Sequence, residues 1–308
     1  MTEFKKRVFG CAVVKAINSN YNADFSGQPR TLPNGQVYAT DKAFKYTVKN
    51  YLKDVYDGEK VFYFKTLNEN LNPLSLDEKY KALFGDYPTG NNIKPEVSKK
   101  LLSCIDIRLF GATFAGKTNI SVHGPVQVNH GVNIWGDSHI FTEQISSPFS
   151  NKADDPEAEK GMTTLGRQSR LDEGHYLHHF SINPNNLCDI LANAGKEAQA
   201  LSSDDIEKLK EAMRRGATWY DSASKAGCEN EMLVWVELKE NSKIVLPNFT
   251  TLIDLKDEKK DGKYVYDFEK LTTELAKFKD EILLVEVFCN EQMCKLENLP
   301  EKTVKSEL

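Results

Sequence analysis

Alternation of apolar and polar residues predicts two β-strands, and two apolar runs predict two more. They are Phe4–Ile17, His175–Ile182, Met232–Leu238 and Ile282–Phe288. Residues 101–114 and 119–134 are also rich in β-forming residues, and we expect them to pair as a hairpin across 115–118. These segments are sufficient for a sheet at the centre of the fold.

A first helix is predicted after the Asn-, Gly- and Pro-rich loop at 18–40. Thr40 or Asp41 can cap its N-terminus, and helical spacing continues to about Tyr56. Its expected buried stripe consists of Phe44, Val48, Leu52 and Val55. Lysines follow a separate stripe of the same helix, at Lys42, Lys45, Lys49 and Lys53.

A second helix is predicted to start at Ser202 or Ser203. Acidic residues occupy its first turn and Arg214 and Arg215 its last, as the helix dipole favours. Gly216 is expected to end it, because glycine is the usual residue just past a helix C-terminus.

The resulting order is strand, helix, strand, strand, helix, strand, which is the split βαβ pattern. It predicts an α+β protein with a modified RRM-like or ferredoxin-like core, forming a single domain over residues 1–308. Two polar stretches are expected as insertions in that domain. Residues 57–100 are predicted to be helical or irregular, and residues 145–170 form a second, loop-like insertion.

Composition is that of a globular protein, with 40% hydrophobic and 28% charged residues. No apolar run is long enough for a membrane span, and no secretory signal is expected at the N-terminus. The six cysteines are scattered without a CxxC pair, so we expect a reducing cytoplasm and no disulfide framework.

Charge is distributed unevenly along the chain, although the net charge is −5. Residues 1–50 carry eight Lys and Arg and three acids, giving +5, whereas residues 251–308 carry ten Lys and fourteen acids, giving −4. A basic front and an acidic back keep nucleic acid possible as a partner, because local charge sets the electrostatic footprint.

Residues Gly111–Thr118 match the GxxxxGK[ST] pattern of a phosphate-binding P-loop. That chemistry requires the loop to open a helix, whose N-terminal amides hold the phosphates. The following residues include β-branched Ile120 and Val122 and then Gly124-Pro125, which oppose a helix. The pattern therefore indicates a hairpin turn more than an ATPase.

Three histidines, His175, His178 and His179, lie close together on one predicted strand. Strand alternation places His175 and His179 on one face and His178 on the other. No cysteine cluster or HExxH accompanies them, so hydrogen-bonding or base-stacking roles are expected and neither a metal nor a cofactor is predicted.

Residues 101–183 contain a series of motifs that strongly resembles the backbone subunits of type I-B Cascade complexes, within the RAMP superfamily. The motifs are Asp106–Gly111, His123–Asn129, Thr142–Ser147, Thr164–Gln168 and Gly174–Tyr176. The segment Ser26–Arg30 and the helix that follows resemble the opening of that family, so the likeness covers most of residues 5–240.

The resemblance implies a CRISPR-associated protein of antiviral defence that binds crRNA. Members of that family have an RRM-like palm and a projecting thumb hairpin, and several copies polymerise head to tail along one guide. The thumb displaces guide bases at intervals, and the others pair with target DNA. Other Cascade subunits assemble with the backbone, and a separate nuclease cuts, so this chain is expected not to be an enzyme.

Under that resemblance, candidate RNA-binding residues can be assigned. A guide of any sequence must be held through phosphate and sugar, which suits lysines, arginines and amide side chains. We predict contacts from the α-helical lysine stripe, from the hairpin that resembles the palm and from the segment after the thumb: Lys42, Lys45, Lys49, Arg108, Gln127, Asn129, Arg167, Gln168 and Arg170. Met162 and Leu165 are the candidates for an apolar thumb tip within 145–170.

Alternative functions remain open at this point. Some relatives in the superfamily cut RNA with a loop aspartate, and Asp24 lies in such a loop. A P-loop ATPase using Gly111–Thr118 and a general RNA-binding module that does not polymerise are the others.

Overall fold

A computed structural model describes residues 2–149 and 165–308. Its strands are β1 (Val8–Ser19), β2 (Tyr38–Ala39), β3 (Gly111–Ala115), β4 (Asn119–His123), β5 (Val126–Val128), β6 (Gly131–Asn133), β7 (Ile140–Ser146), β8 (Leu165–Ile182), β9 (Cys228–Leu238), β10 (Asp254–Leu255), β11 (Tyr264–Asp267), β12 (Ile282–Cys289), β13 (Cys294–Glu297) and β14 (Val304–Ser306). Its α-helices are α1 (Asp41–Val55), α2 (Leu76–Phe84), α3 (Ile93–Leu102), α4 (Ile105–Phe110), α5 (Cys188–Ala194), α6 (Ser203–Trp219) and α7 (Glu269–Ala276).

Within these residues, the largest sheet follows the strand order β14-β12-β9-β1-β8-β6-β2, and β5 and β7 also pair with β8. Strands β9, β1, β8 and β6 are antiparallel to their neighbours. The pairing of β1 with β8 runs from Val8 opposite Ile182 to Ser19 opposite Leu171. Between Leu165 and Leu171, β8 pairs with β7 in a two-stranded ribbon.

One face of this sheet is covered by helices α1 and α6. Phe44, Val48 and Leu52 of α1 are buried there, together with Leu209 and Met213 of α6. The predicted helix starts are confirmed to within about a residue, because Thr40 and Ser202 cap the two N-termini. Val55, predicted in the buried stripe, is instead 37% exposed in the last turn.

The other face of the sheet is covered by the C-terminal part of the chain. Phe9 and Val13 of β1 and Val234 of β9 pack there against Phe249 and Tyr266. An open polar sheet on which bases could stack is therefore absent from the described residues. The expected base-stacking role of His175 and His178 is wrong, because both side chains are fully buried.

Two sequence predictions about boundaries are also wrong. Residues 101–110, expected as a strand, form the end of α3 and then α4, and Gly111 (φ +73°) ends α4 by donating its N–H to the Ile107 carbonyl. Gly216 does not end α6, which continues to Trp219. A Cβ at Gly216 would lie 2.9 Å from the Thr47 carbonyl oxygen, so glycine there permits the close crossing of α6 over α1.

The predicted insertion at 57–100 contains α2 and most of α3, joined by irregular segments. Within the described part of the chain, the helices are too short or too polar to cross a membrane.

Candidate nucleic-acid interface

The loop between β1 and α1 is held firmly at both of its ends. The side-chain amide of Asn20 donates to the Ser169 carbonyl of β8 at 3.2 Å. The Asn22 side-chain oxygen accepts from the Thr40 backbone N–H at 2.9 Å and from its hydroxyl at 3.0 Å. The loop therefore joins the base of the β7–β8 ribbon to the start of α1.

Asp24 organises a tight turn within this loop. Its Oδ1 accepts hydrogen bonds from the Ser26 backbone N–H (2.8 Å), the Ser26 hydroxyl (2.7 Å) and the Gln28 backbone N–H (3.0 Å). The hydrogen bond from the Ser26 side chain is the main cause of the lowered pKa of Asp24. The carboxylate thus has a structural role that the sequence alone does not reveal.

The same turn presents Phe25 to solvent, fully exposed. The guanidinium carbon of Arg30 lies 5.9 Å from the centre of its ring. An exposed aromatic ring beside a cation is the combination that binds single-stranded nucleic acid, since bases stack on the ring and the cation meets the phosphate. Sequence analysis missed Phe25, although its place beside the Ser26–Arg30 motif is a usable signal.

The three predicted lysines of α1 differ in what they offer a ligand. Lys42 is exposed and has no ion pair among the described residues. Lys45 pairs with Asp41 at 3.0 Å, and Lys49 lies 3.9 Å from buried Asp106. Burial lowers the pKa of Lys49, with the Asp106 carboxylate opposing that shift. Lys42 is therefore the lysine of this stripe that is free to meet a phosphate.

Asn129 adjoins the start of α1 through its neighbour His130. The Asp41 backbone N–H donates to His130 Nδ1 at 3.2 Å, and the His130 ring, half-exposed, lies 5.5 Å from that of Tyr38. Asn129 is exposed, and its side chain makes no hydrogen bond among the described residues. His130 and Tyr38 were missed by sequence analysis, because only the fold brings them to α1.

Gln127, on β5, is exposed, and its amide donates to the Gly124 carbonyl at 2.8 Å. Its side-chain oxygen has no described partner. The residue is thus partly committed to the turn before β5 and can offer one acceptor to solvent.

Arg167, Gln168 and Arg170 lie on β8 in the ribbon. Gln168 donates to the Ala223 carbonyl at 3.2 Å, and Arg170 donates to the Asn18 carbonyl at 2.8 Å. These two side chains therefore tie the ribbon to the end of β1 and to the loop that contains Ala223. Arg167 is exposed and has no ion pair among the described residues, so it remains available for an anion.

Arg108 cannot serve as predicted. It lies on α4 and not on a hairpin strand, and its side chain is 6% exposed. Its guanidinium donates to both carboxylate oxygens of Asp205 at 2.7 and 3.1 Å, and also to the Gln199 side-chain oxygen and the Leu102 carbonyl. Because all of its nitrogens are used internally, Arg108 is a structural residue.

The predicted thumb tip falls partly outside the described residues. Met162 lies among residues 150–164, which are not described, and Leu165 is described only in its backbone, paired with Ser146. On the described side of this position, Ile145 of the ribbon and Phe149 just after it are exposed. Sequence analysis therefore missed two apolar residues near the proposed tip.

Gly111–Thr118 forms the hairpin that was predicted. Gly111 pairs with His123 and Ala115 with Asn119, so strand β4 follows the turn where a P-loop would need a helix. The backbone N–H of Lys117 donates to Asp77 at 3.2 Å, and its ammonium lies over the Tyr87 ring. The helix N-terminus on which the ATPase alternative depends is thus missing here.

The predicted facing of the histidines is confirmed. His175 hydrogen-bonds Glu231 at 2.6 Å on the C-terminal side of the sheet, where His179 accepts from the Phe249 N–H. His178 packs on the opposite side, stacked on Phe44. The described residues contain no group of acidic, histidine or cysteine side chains arranged for a metal ion.

Several of the groups that can meet a ligand lie on elements that contact one another and form one rim of the molecule. The rim is formed by the ribbon base, the β1–α1 loop, the start of α1 and the β5–β6 connection, which the Asn20–Ser169 and Asp41–His130 contacts join. Its members are Phe25, Arg30, Lys42, Asn129, His130 and Arg167. We call this set the cationic rim. It mixes cations, amides and rings, as a surface that holds a ribose-phosphate chain requires.

Comparison with solved structures identifies the fold. One similar chain, titled "CRISPR RNA-guided surveillance complex", has a TM-score of 0.51 at 14% identity, with 92% of this chain and 89% of that chain covered. Another, titled "CRISPR RNA-guided surveillance complex, pre-nicking", has a TM-score of 0.56 at 13% identity, covering 98% and 96%. No curated protein sequence matches significantly. The sequence profile of CRISPR-associated protein Cas7 matches residues 6–276, and the chain therefore belongs to the Cas7 family.

Proposed function

We propose that this chain is a backbone subunit of a CRISPR interference complex that binds guide RNA and presents it for pairing with target DNA. The observation that carries the proposal is the cationic rim on a chain of the Cas7 family. The titles of both similar structures name RNA-guided surveillance complexes, which agrees with a role in CRISPR defence.

The finer assignment is also a proposal. The motif series at 101–183 supports the type I-B branch of Cascade, acting in the cytoplasm. An RRM-like core is supported by the strand order β9-β1-β8-β6 with α1 and α6 on one face, since a split βαβ fold places its fourth, first, third and second strands in that order. The β7–β8 ribbon is the proposed thumb.

The central test is whether RNA accompanies the purified protein and depends on the rim. A discrete RNA of repeat-plus-spacer length is expected, whereas heterogeneous RNA would favour a general binding module. Lys42→Glu with Lys45→Glu is expected to remove the RNA while leaving the circular dichroism spectrum unchanged. Because Lys45 has an internal partner, Lys42→Glu and Arg167→Glu are the sharper single changes.

Each single change is expected to weaken RNA affinity several-fold. The affinity should also depend less on salt. In a plot of log affinity against log salt concentration, the slope is expected to become less steep by about 0.7 for each phosphate that the protein ceases to neutralise. Lys94→Glu is the matched control, since Lys94 is an exposed lysine on α3 away from the rim. Equal RNA retention by the control and both rim variants would exclude the rim as the binding surface.

We further propose that the chain does not catalyse a reaction. Oδ1 of Asp24 is already used to hold the 24–28 turn, which supports a structural role over a catalytic one. Incubating the assembled complex with complementary RNA and Mg²⁺ tests this directly. Regularly spaced cuts that disappear in Asp24→Ala would establish the ribonuclease alternative, and ATP hydrolysis abolished by Lys117→Ala would establish the other.

Copies of the chain are proposed to stack head to tail along the guide, beside other Cascade subunits. The basic front and acidic back of the sequence support this, since opposite charges favour a heterologous contact. Replacing exposed acids of the tail by lysines, for example Glu301→Lys, is expected to shorten the assemblies on RNA in sedimentation experiments. Assemblies of unchanged length would show that charge does not direct the stacking.

A further inference from the structure

A cleft of about 300 Å³ opens beside α1, and none of the residues that line it is among the candidates that the sequence singled out. Three parts of the chain line it: Tyr46 of α1, the extended segment at 62–66, and the segment at 73–79 that enters α2. A hydrogen bond from the Leu74 N–H to the Thr66 carbonyl holds the last two together. The cleft is therefore built by the 57–100 insertion against the helix that bears the lysine stripe.

The surface inside the cleft is mainly aromatic and aliphatic. The rings of Tyr46 and Phe64 are stacked with centres 4.8 Å apart, and Tyr63 adjoins them. Pro73 and Leu74 add aliphatic surface. A flat, apolar ligand of modest size suits such a lining, and the volume lies at the small end of the range for ligand sites.

The charged residues that line the cleft are all lysines. Lys65 and Lys79 line it, and among the described residues none of those lining it is acidic. Lys79 donates to the Thr66 hydroxyl at 2.6 Å and has no carboxylate partner in the described ranges. Lys65 is exposed and likewise has no ion pair in the described part of the chain. The cleft thus favours a ligand that joins a flat ring to an anion.

Two nearby acids are held by groups outside the lining of the cleft or by the cap of α2. Asp54 is occupied by Lys53, whose ammonium lies 5.2 Å from the centre of the Phe64 ring. Glu78 closes the capping box of α2 by accepting from the Ser75 N–H and hydroxyl. Because that box already fills the helix N-terminus, the cations and rings are what a ligand would meet.

The cleft lies next to the cationic rim along α1. Tyr46 lies one helical turn after Lys42, so the two side chains are neighbours on the surface of α1. Lys49, on the same helix, lies 5.7 Å from the centre of the Tyr63 ring. A strand whose phosphate meets Lys42 therefore passes next to the opening of the cleft.

We propose that this cleft holds one unpaired base of the bound RNA strand, with Lys65 and Lys79 meeting the phosphate beside it. The proposal rests on the proposed RNA-binding function, whose cationic rim adjoins the cleft. It assigns to the 57–100 insertion a direct part in RNA binding, which the sequence did not predict. The aromatic rings recognise any base, because every base has a flat face, so the site is indifferent to sequence.

Photocrosslinking tests the proposal on the full chain. The probe is a single-stranded RNA of guide length that contains 4-thiouridine, and the crosslinked peptides are identified by mass spectrometry. Crosslinks are expected within residues 62–66 or at Tyr46. Phe64→Leu keeps apolar volume but removes the ring, and it is expected to reduce both crosslinking at this site and RNA affinity about fivefold to tenfold.

Lysine variants supply the matched comparison. Lys79→Glu is expected to weaken RNA affinity about as much as Phe64→Leu, whereas Lys81→Glu, on the same helix but outside the cleft, is expected to stay within twofold of the wild type. Thermal denaturation of each variant identifies any that have lost the fold, and Tyr46→Phe, which retains both ring and packing, is expected to crosslink normally.

The outcomes separate this proposal from the function it rests on. If RNA binds at the rim with unchanged affinity in Phe64→Leu and no crosslink falls in the cleft, the cleft proposal is wrong and the RNA-binding function stands. If the wild-type chain binds no RNA, both are wrong. Crosslinking to single-stranded DNA of the same sequence but not to RNA, or loss of assembly without any crosslink, would assign the cleft to another occupant and overturn the proposal.

Discussion

The guanidinium of Arg108 forms the most completely buried bidentate ion pair described in the chain, with Asp205 of α6. Asp205 also accepts from the Ser202 N–H in the capping box of that helix. The pair therefore joins α4 to the start of α6. The sequence around Arg108 could not reveal this ion pair, because Asp205 lies 97 residues away. Arg108 was therefore expected to be exposed on a hairpin.

Arg108→Met is expected to lower the free energy of unfolding by about 3–5 kcal/mol, because it leaves the Asp205 carboxylate buried without its partner. Urea denaturation measures the change. Arg215→Met is the control, since its pair with Glu211 is half-exposed and is worth under about 1 kcal/mol. Equal effects of the two substitutions would show that burial does not decide the cost.

His178 gives the fold a dependence on pH. Burial lowers its pKa to about 4, and its Nδ1 contacts the Asn129 carbonyl at 3.0 Å. In an unfolded chain the same ring has its ordinary pKa of about 6.5. Between these values the unfolded chain binds a proton that the folded chain does not, so acidification favours unfolding.

We expect the free energy of unfolding to fall as the pH is lowered from about 6.5 towards about 4, with His178 contributing up to about 3 kcal/mol. His179, whose pKa burial also lowers to about 4, acts in the same direction. The measurement is therefore a difference: His178→Gln should flatten the dependence relative to the wild type in urea denaturation. His139→Gln, the same substitution at an exposed position, is the matched control.

Among the helices and strands, those predicted correctly from sequence are the ones marked by residues with a strong structural preference, such as a helix cap or a Gly-Pro pair. Helix α1 was predicted almost to the residue because Thr40 caps it and its apolar spacing is regular. The β3–β4 hairpin was predicted because Gly124-Pro125 excludes the helix of a P-loop. Helix α4 was missed, since six residues with two isoleucines have no distinct helical period, and only the turn at Gly111 marks its end.

The candidate site was predicted less completely, for a physical reason. Lys42 and Arg167 were found because charge on a regular element is visible in sequence, and the structure leaves both exposed. Phe25 and His130 join the candidate site only because loops distant in sequence meet in the fold. Lys45 forms an ion pair with Asp41 that the sequence alone does not predict. Tertiary contacts therefore decided which candidates remain available.

The crossing of α1 and α6 depends on Gly216. In an ordinary helix interior, Gly→Ala stabilises by about 1 kcal/mol. Here a Cβ would lie 2.9 Å from the Thr47 carbonyl oxygen of α1, so the helices must separate. Because overpacking costs about 1–3 kcal/mol, Gly216→Ala is expected to destabilise the protein by about 1 kcal/mol.

Thermal and urea denaturation test that sign. Gly136→Ala is the control, because a Cβ there meets nothing within 4 Å. A stabilised Gly216→Ala variant would mean that the two helices relax apart without cost.

At the scale of the whole molecule, the C-terminal part of the chain is structural as well as acidic. Leu246, Phe249, Tyr264 and Phe268 are buried against the sheet face formed by β1, β9 and β12. This layer was missed in sequence because β10, β11 and β13 are strands of two to four residues, too short to show alternation. Residues 240–308 therefore complete the core.

A chain ending at residue 240 is expected to expose that apolar face, to bind a hydrophobic dye and to aggregate, because a contiguous patch of this size is not stable in water. A chain ending at Pro300 lacks β14, whose three residues are exposed, and is expected to remain soluble. Light scattering and dye fluorescence distinguish the two. A soluble, monomeric 1–240 chain with an unchanged far-ultraviolet spectrum would contradict this account of the core.

Strand β8 runs without a break from the ribbon to the far end of the sheet, over 18 residues or about 60 Å. A force applied to the ribbon is therefore carried lengthwise along one strand, against β1, whose hydrogen bonds must all shear together. Strand β8 is continuous where the ribbon meets the sheet, so we expect the ribbon to resist bending at that point. We therefore expect the ribbon to keep a fixed direction relative to the central sheet, because the strand that carries it is paired with β1 over most of its remaining length.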